Sequence, residues 1–325
     1  MNPEEKQQIL TLRQKLSGPV KIRLLRSKDE RGGDLEKFCD RLTELIPDIH
    51  IRKEDAGTNE IPSILITERL KFCAVPMGTE IGPFIRALIG LGSNGLSLPI
   101  PLTDKLAAVT LPALLEVYVT PNCPYCPQIV QELLPLSQVG QLVNLVVIDS
   151  MLFPELAAKN KIKAVPTLIL DGQFRWTGST QLEEIIDVMA TRDPRSLGAT
   201  SLEMMVKEGH AEQLAAMMLD AGEIFSAFYD LVAHRDWSVR LGAMVVMEYL
   251  NSKDSILAAQ AVLPLWDRFQ QMSDQAKGDT LYIFGEIGHP QVVPMLEKVL
   301  KNPYAREVKE AAAEALEKIR SSKSA

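Results

Sequence analysis

The sequence has few cysteines, few histidines and no excess of positive charge. Its 325 residues include four Cys and four His, and 35 Lys and Arg stand against 42 Asp and Glu, a net charge of −7. A small domain held together by disulfides needs far more cysteine, so that class is excluded. Nucleic-acid binding is not expected either, because no basic stripe is present to neutralise phosphates.

Long hydrophobic runs are missing as well. The most apolar stretch, residues 142–148, is far shorter than the roughly 20 residues that a membrane-spanning helix needs. The first residues lack the basic start and apolar centre of a secretory signal. We therefore expect a cytoplasmic protein that does not act at a membrane. In a reducing cytosol a close cysteine pair is catalytic or metal-binding more often than structural.

The first 190 or so residues contain one order of predicted elements twice. Each copy begins with a strand, a helix and a strand, and ends with two strands and a helix. The segment Ile61–Ile66 (Ile-Pro-Ser-Ile-Leu-Ile) corresponds to Val165–Leu170 (Val-Pro-Thr-Leu-Ile-Leu) in the second copy. These features predict two units of one fold in tandem.

Helical periodicity without strand signals begins at about Leu197. Three similar amphipathic segments start at Asp236, Asp274 and Arg306, and another helical pattern precedes each of them. Stacked helix pairs with this spacing resemble HEAT-type repeats, which bury a continuous core and leave a concave face for partners. We expect this part of the chain to recruit a partner protein.

Cys123, Pro124, Tyr125 and Cys126 lie where a predicted strand is followed by a predicted helix. The spacing of the two cysteines places their Cα atoms within disulfide range. A helix N-terminus stabilises a thiolate and should lower the pKa of Cys123. Cys123, nearer the exposed loop, is expected to attack a substrate disulfide, and Cys126, one turn into the helix, to resolve the mixed disulfide. Pro124 stiffens the loop between them.

The segment Pro121–Pro127 (Pro-Asn-Cys-Pro-Tyr-Cys-Pro), together with Ala164–Thr167 (Ala-Val-Pro-Thr), resembles the glutaredoxin-like members of the thioredoxin superfamily. Over residues 1–192 the tandem, with its cysteine pair in the second unit, resembles the N-terminal domain of the flavoprotein subunit of alkyl hydroperoxide reductase. It also resembles archaeal protein disulfide oxidoreductases. The resemblance implies an α/β fold of two thioredoxin units.

This resemblance assigns roles to further residues. It implies that Pro166 is cis and faces the cysteine pair, and that the main chain of Val165 pairs with the substrate backbone. Glu116 would relay protons near the buried thiol, although a charged residue at the start of a strand can also be merely solvated. The first unit has Lys28–Arg31 (Lys-Asp-Glu-Arg) in place of the cysteine pair, which makes it a structural or docking half.

The predicted fold class is therefore α/β, with two tandem thioredoxin-fold units followed by an all-α, HEAT-like repeat domain. The predicted boundaries are residues 1–105 for the unit without the cysteine motif, 106–195 for the unit with it, and 196–325 for the repeats.

The predicted function is thiol–disulfide exchange with a protein disulfide, with no cofactor beyond the redox-active disulfide Cys123–Cys126. Since no flavin or nicotinamide domain follows, electrons would come from an external thiol or a flavoprotein reductase. Gly178–Gln181 lacks the residues by which glutaredoxins hold glutathione, so glutathione is not the expected donor. The alternative is an interaction scaffold whose thioredoxin-like module is vestigial or regulatory.

Other conspicuous residues are expected to be structural. Cys39 and Cys73 are predicted to be small buried hydrophobic residues rather than partners in a zinc site. Gly90–Gly95 matches a dinucleotide-binding pattern, but it follows a helix instead of a strand and is interpreted as a helix stop and linker. The methionines of Met204–Met218 are expected to pack in a core.

Overall fold

A computed structural model describes residues 2–55, 61–92 and 95–322. Ser93 and Asn94 of the glycine-rich segment lie outside this range. The chain divides into two compact units, Met1–Arg192 and Asp193–Ala325. The first is mixed α/β, as predicted, and the described residues of the second form helices but no strands.

One sheet of eight strands passes through the first unit. The strands are β1 (Val20–Arg26), β2 (Ile49–Asp55), β3 (Ser63–Thr67), β4 (Leu70–Cys73), β5 (Ala113–Val119), β6 (Val143–Asp149), β7 (Thr167–Leu170) and β8 (Phe174–Thr177). Their order in the sheet is β2-β1-β3-β4-β6-β5-β7-β8. β1 pairs in parallel with β2, and β5 with β6, whereas β3–β4 and β7–β8 are antiparallel. Because β4 also pairs with β6, the two halves share a single sheet.

The first unit contains seven α-helices among its described residues. They are α1 (Pro3–Arg13), α2 (Gly32–Leu45), α3 (Ile81–Ile89), α4 (Ile100–Ala107), α5 (Cys126–Val139), α6 (Pro154–Lys159) and α7 (Leu182–Thr191). The sequence pattern predicts no helix where α4 lies, and residue 105, the predicted end of the first unit, falls inside this helix. Pro101 occupies the first turn of α4, where a missing N–H costs no hydrogen bond.

The main hydrophobic core covers one face of the sheet. Phe38, Phe72 and Phe84 pack edge to face there, with ring centroids 5.5 Å apart, and α5 contributes Ile129 and Leu133. Full burial of one such aromatic side chain contributes about 2–3 kcal/mol. The opposite face has a smaller cluster, packed around the start of α6, whose buried members are Cys73, Tyr118, Ile148, Phe153 and Ile169. The two faces therefore give the side chains of each central strand different neighbours.

The second unit is helical throughout its described length. Its helices are α8 (Ala199–Lys207), α9 (Ala211–Ala221), α10 (Phe228–Val232), α11 (Trp237–Lys253), α12 (Ser255–Ala259), α13 (Val262–Phe269), α14 (Asp274–Ile287), α15 (Val293–Lys301) and α16 (Arg306–Ser322). The three similar sequence segments form α11, α14 and α16, and α14 packs against both of the others. Met205 and Met218 are buried, in agreement with the predicted core packing. The HEAT-type assignment stays a prediction.

No helix in the described part of either unit combines the length and apolar character needed to cross a membrane.

Candidate active site

Cys123, in the loop after β5, and Cys126, the first residue of α5, form a disulfide, and their Cα atoms are 5.5 Å apart. The prediction that Cys126 lies one turn inside the helix is wrong, because α5 begins at Cys126 and Tyr125 is its N-cap residue. The first N–H groups of a helix have no partner within it. The N–H of Cys126 donates instead to Sγ of Cys123, 3.1 Å away.

The two sulfur-bearing residues differ in their access to solvent. Cys123 is 7% exposed and Cys126 is fully buried, while Pro124 and Tyr125 are exposed beside them. A substrate can therefore approach Cys123 and cannot reach Cys126 directly. The attacking role of Cys123 and the resolving role of Cys126 stay predictions.

The segment Val165–Pro166 lies against the attacking cysteine. Its peptide bond is cis, as the resemblance implies. The carbonyl oxygen of Val165 lies 3.9 Å from Sγ of Cys123. The structure thus brings together Cys123, Cys126, Val165 and Pro166 at the ends of two neighbouring strands, β5 and β7.

An open groove of about 920 Å³ begins beside this disulfide. Its walls come from the start of α4, the outer face of α5, the segment Val165–Pro166, and residues 178–183 at the start of α7. The exposed ring of Tyr125 lines it next to the cysteines. The groove is large enough for a few residues of extended peptide, and both apolar and polar side chains line it.

Glu116 does not lie beside the buried thiol, so the role implied for it by the resemblance is wrong. Side chains alternate between the two faces of a strand, and in β5 Leu115 and Val117 point into the core that contains Cys126. Glu116 therefore shares the opposite face with Tyr118. Burial is the main cause that raises its pKa, and the positive charge of Lys159 acts against that shift.

Sequence reasoning missed Glu80, which belongs to the cysteine-free half. The side chain is 1% exposed, and neither carboxyl oxygen has a hydrogen-bond partner among the described residues. Burial, helped by the negative charge of Asp149, raises the pKa of Glu80 to about 7. The sequence did contain a signal: a carboxylic acid directly before the apolar run that becomes α3.

A short 3-10 turn, Gly78–Glu80, carries this carboxyl group and bonds to the segment just before the disulfide. Both the N–H and the Oγ1 of Thr79 donate to the carbonyl oxygen of Pro121, at 3.1 and 2.9 Å, two residues before Cys123. The turn also packs against α5. Gly78 has a φ of +57°, and a Cβ atom there would lie 2.7 Å from the same carbonyl oxygen, so a side chain is excluded at this position.

The corresponding site of the first half contains an ion-pair cluster in place of sulfur. Arg31 donates to the carbonyl oxygen of Leu152 at 2.9 Å and to Glu155 at 2.7 Å, and it pairs with Asp29. Its guanidinium lies 4.4 Å above the centre of the Phe153 ring. Arg31 therefore connects the first half to the loop after β6 in the second half.

The thiols of the remaining cysteines are expected to have low reactivity. Cys39 and Cys73 are unpaired and buried, and burial raises the pKa of each thiol to about 12. Both were predicted to be core residues, and their thiols remain protonated at neutral pH. Among the described residues no group of three or more His, Cys, Asp or Glu side chains could hold a metal ion.

A cysteine pair at the start of a helix, a cis-proline beside it and this order of strands define a thioredoxin-like fold. The family model described as "Thioredoxin domain" matches residues 114–190, the half that contains the disulfide. The first unit as a whole also matches the N-terminal domain of the F subunit of alkyl hydroperoxide reductase and an archaeal protein disulfide oxidoreductase.

Among curated relatives, the F subunit of alkyl hydroperoxide reductase from Staphylococcus epidermidis is 22% identical over 201 residues, which cover 60% of this chain and 39% of the relative. The protein of the same name from Pseudomonas putida is 26% identical over 193 residues, which cover 57% of this chain and 36% of that protein. The match thus spans well under half the length of these relatives.

Two solved structures show the same fold. The N-terminal domain of the F subunit of alkyl hydroperoxide reductase from Enterococcus faecalis aligns with a TM-score of 0.52 at 25% identity, covering 58% of this chain and all of that domain. A protein disulfide oxidoreductase from Aeropyrum pernix aligns with a TM-score of 0.52 at 17% identity, covering 58% of this chain and 92% of its own.

Proposed function

We propose that this protein is a thiol–disulfide oxidoreductase that transfers electrons between a redox partner and a protein disulfide through Cys123 and Cys126. One observation supports this most directly. The N–H of Cys126 points at Sγ of Cys123 beside an open groove. In the reduced protein this donor stabilises a Cys123 thiolate, which is the species that attacks a disulfide.

The exchange then proceeds in two balanced steps. The Cys123 thiolate attacks one sulfur of the substrate disulfide, and the other substrate sulfur leaves as a thiolate. Cys126 loses its proton and attacks Sγ of Cys123, which releases the second substrate thiolate and forms the Cys123–Cys126 disulfide. An external thiol or a flavoprotein reductase returns the two electrons, and no bound cofactor takes part.

Glu80 is the group to which we assign the proton of Cys126. Its pKa of about 7 lets it accept and release a proton near neutral pH, as a general base requires. It is buried in a turn that packs against α5, the helix that begins at Cys126. Glu116, on the other face of the sheet, has no such position.

The helical unit and the compartment complete the proposal. We propose that the second unit recruits the partner protein, since stacked helices present an extended surface for binding. We place the protein in the cytoplasm, because Cys39 and Cys73 are unpaired thiols of the kind that a reducing compartment preserves.

Trapping tests this function. Full-length Cys126→Ser, reduced and then exposed to disulfide proteins, should accumulate mixed disulfides through Cys123, because the resolving thiol is gone. Cys123→Ser is the matched control and should trap nothing above background, since Cys126 is buried. If Cys126→Ser traps no more than Cys123→Ser, the exchange function is rejected in favour of a scaffold with a vestigial or regulatory disulfide.

A Glu80→Gln variant in the Cys126-containing protein tests the proton step. The first attack should keep its rate, while release of the substrate from the mixed disulfide should slow, and the pH dependence of that release should lose its midpoint near pH 7. Equal release rates and pH profiles in the variant and the parent would remove Glu80 from the mechanism.

A further inference from the structure

The groove beside Cys123 has an unbalanced charge. The charged side chains that line it are Glu132 and Glu183, and no Lys, Arg or His among the described residues lines it. The carboxylate of Glu183 is 2.9 Å from the Nζ atom of Lys105 on α4, which it shares with Asp187 at 2.8 Å, so its charge is partly compensated. Glu132 has no cationic partner in the described part of the chain; its neighbour is the neutral amide of Gln128, 2.9 Å away.

Glu132 also lies on the face of α5 that a substrate would follow. Tyr125, Gln128, Ile129 and Glu132 all line the groove, and their spacing of three and four residues places them on one side of the helix. The reacting atom, Sγ of Cys123, lies 3.1 Å from the N atom of Cys126 at the start of α5. From Cys126 to Glu132 is six positions, which corresponds to about 9 Å along the helix axis. An extended peptide covers that distance in about three residues.

The apolar part of the groove and the carboxylate make different demands on a substrate. Pro99, Pro101 and Leu102 offer contact area to a peptide of any sequence. The carboxylate of Glu132 attracts a cation and repels an anion, at the rim of a cleft where water screens charge less than on an open surface. The groove thus provides general binding and one charge-selective position.

We propose that this groove binds protein segments with a Lys or Arg about three residues from the reacting cysteine, and that Glu132 is the residue that selects them. The inference rests on the disulfide exchange proposed above and specifies its substrate class. It also implies that anionic disulfides such as glutathione disulfide are poor substrates. The cation does not enter the chemistry: it increases the fraction of encounters in which the substrate sulfur reaches Cys123.

Three short peptides provide the test. Each has one cysteine in a mixed disulfide with a chromogenic aryl thiol, and the residue three positions away is Lys, Gln or Glu. The reduced full-length protein supplies two electrons, and both the peptide thiol and the coloured thiol are released. The Lys peptide should react about tenfold faster than the Glu peptide, with Gln between them, and this ratio should fall as salt is raised.

Two variants test whether Glu132 causes the difference in rate between the Lys and Glu peptides. In Glu132→Gln the Lys-to-Glu rate ratio should fall towards one. Asp104→Asn is the matched control: Asp104 is an exposed carboxylate on α4 outside the groove lining, so its removal should leave the ratio unchanged. If the control lowers the ratio as much as Glu132→Gln does, the selectivity comes from overall charge and the assignment to Glu132 is overturned.

The outcomes separate this inference from the function on which it rests. If the Gln peptide does not react in any variant that retains both cysteines, the exchange function itself fails. If it reacts but all three peptides have equal rates, or the Glu peptide is fastest, exchange stands and the charge selectivity is overturned.

Discussion

At the scale of single residues, Glu80 combines two properties that usually exclude each other. It is a carboxylic acid, and it is buried without a hydrogen-bond partner among the described residues. Such a group avoids most of the cost of burial by remaining protonated. Its raised pKa therefore affects the stability of the fold as well as the proton transfer proposed for it.

The stability of the protein should fall with pH because of this residue. Between its ordinary pKa of 4.5 and its folded value of about 7, Glu80 is protonated in the folded state and ionised in the unfolded state, so rising pH favours unfolding. Glu80→Gln removes this term. Between pH 5 and pH 8 the free energy of unfolding should decrease in both proteins, and the decrease should be about 2 kcal/mol smaller in the variant than in the parent.

Urea unfolding at both pH values measures this difference. The similar shape of Gln keeps packing effects the same at each pH, so the comparison isolates the ionisation. An identical pH dependence in parent and variant would mean that Glu80 is already ionised at pH 5 in the folded protein.

At the scale of elements, an ion pair fixes the end of the cysteine-containing half. Asp171, in the turn between β7 and β8, and Arg192, just after α7, are 2.9 Å apart and their side chains are fully buried. Asp171 also accepts a hydrogen bond from the N–H of Leu114 in β5, at 2.9 Å. Arg192 donates to the carbonyl oxygens of Leu111 and Pro112. The pair thus joins β5, the β7–β8 turn and α7.

Removing one partner of this pair should be costly, because it leaves an uncompensated buried charge. Asp171→Ala or Arg192→Ala should each lower the free energy of unfolding by about 3–5 kcal/mol. The double variant should lose less than the sum of the two. Denaturant unfolding of all four proteins measures the coupling, and strictly additive losses would show that the two side chains act independently.

Two glycines in the helical unit should change its stability in opposite directions when each is replaced by alanine. A Cβ atom on Gly242 of α11 would lie 2.6 Å from Cβ of Val206 on α8, whereas nothing lies within 4 Å of that position on Gly278 of α14. Gly242→Ala should therefore destabilise the unit by about 1–3 kcal/mol through overpacking. Gly278→Ala should stabilise it by up to about 1 kcal/mol, the ordinary helix preference for alanine.

Thermal unfolding of the full-length variants checks both signs, with Gly278→Ala serving as the control for helix propensity. Stabilisation by both substitutions would contradict the close contact between α8 and α11.

The sequence was informative where structure is determined locally. The Asp171-Gly172 pair predicts the β7–β8 turn because both residues adopt positive φ there, and Pro127 predicts that a helix begins nearby, although the depth predicted for Cys126 in that helix was wrong. It was uninformative about long-range pairing. Nothing local indicates that β4 lies beside β6, so neither the shared sheet nor the position of Glu80 was predicted. The short helix α4 was missed because prolines such as Pro101, in its first turn, are also typical of a linker.

At the scale of the whole molecule, the groups of the candidate site all lie in the first unit. Cys123, Cys126, Pro166, Glu80 and the groove lie within residues 1–192, which have their own core. We expect a fragment of residues 1–192 to fold and to react with a short peptide disulfide at a rate comparable with that of the full chain. With a protein substrate it should be slower, because the proposed recruiting surface is missing.

Stopped-flow rates test whether exchange and recruitment belong to different units. They are measured for both substrates with the fragment and with the full chain. A folded fragment that reacts equally well with peptide and protein would remove recruitment from the helical unit. A folded fragment inactive on the peptide would show that the helices take part in exchange.

The position of Glu80 also bears on how this chain can change over generations. The sulfur atoms belong to the half of the first unit that matches the thioredoxin family model, and the acid assigned to serve them belongs to the other half, which has no cysteine pair. A deletion that trimmed the chain to its sulfur-bearing half would discard that acid, and it would also expose the edge of β6 where β4 now pairs. We therefore expect the cysteine-free half to be retained, because its loss would impair both the candidate site and the sheet.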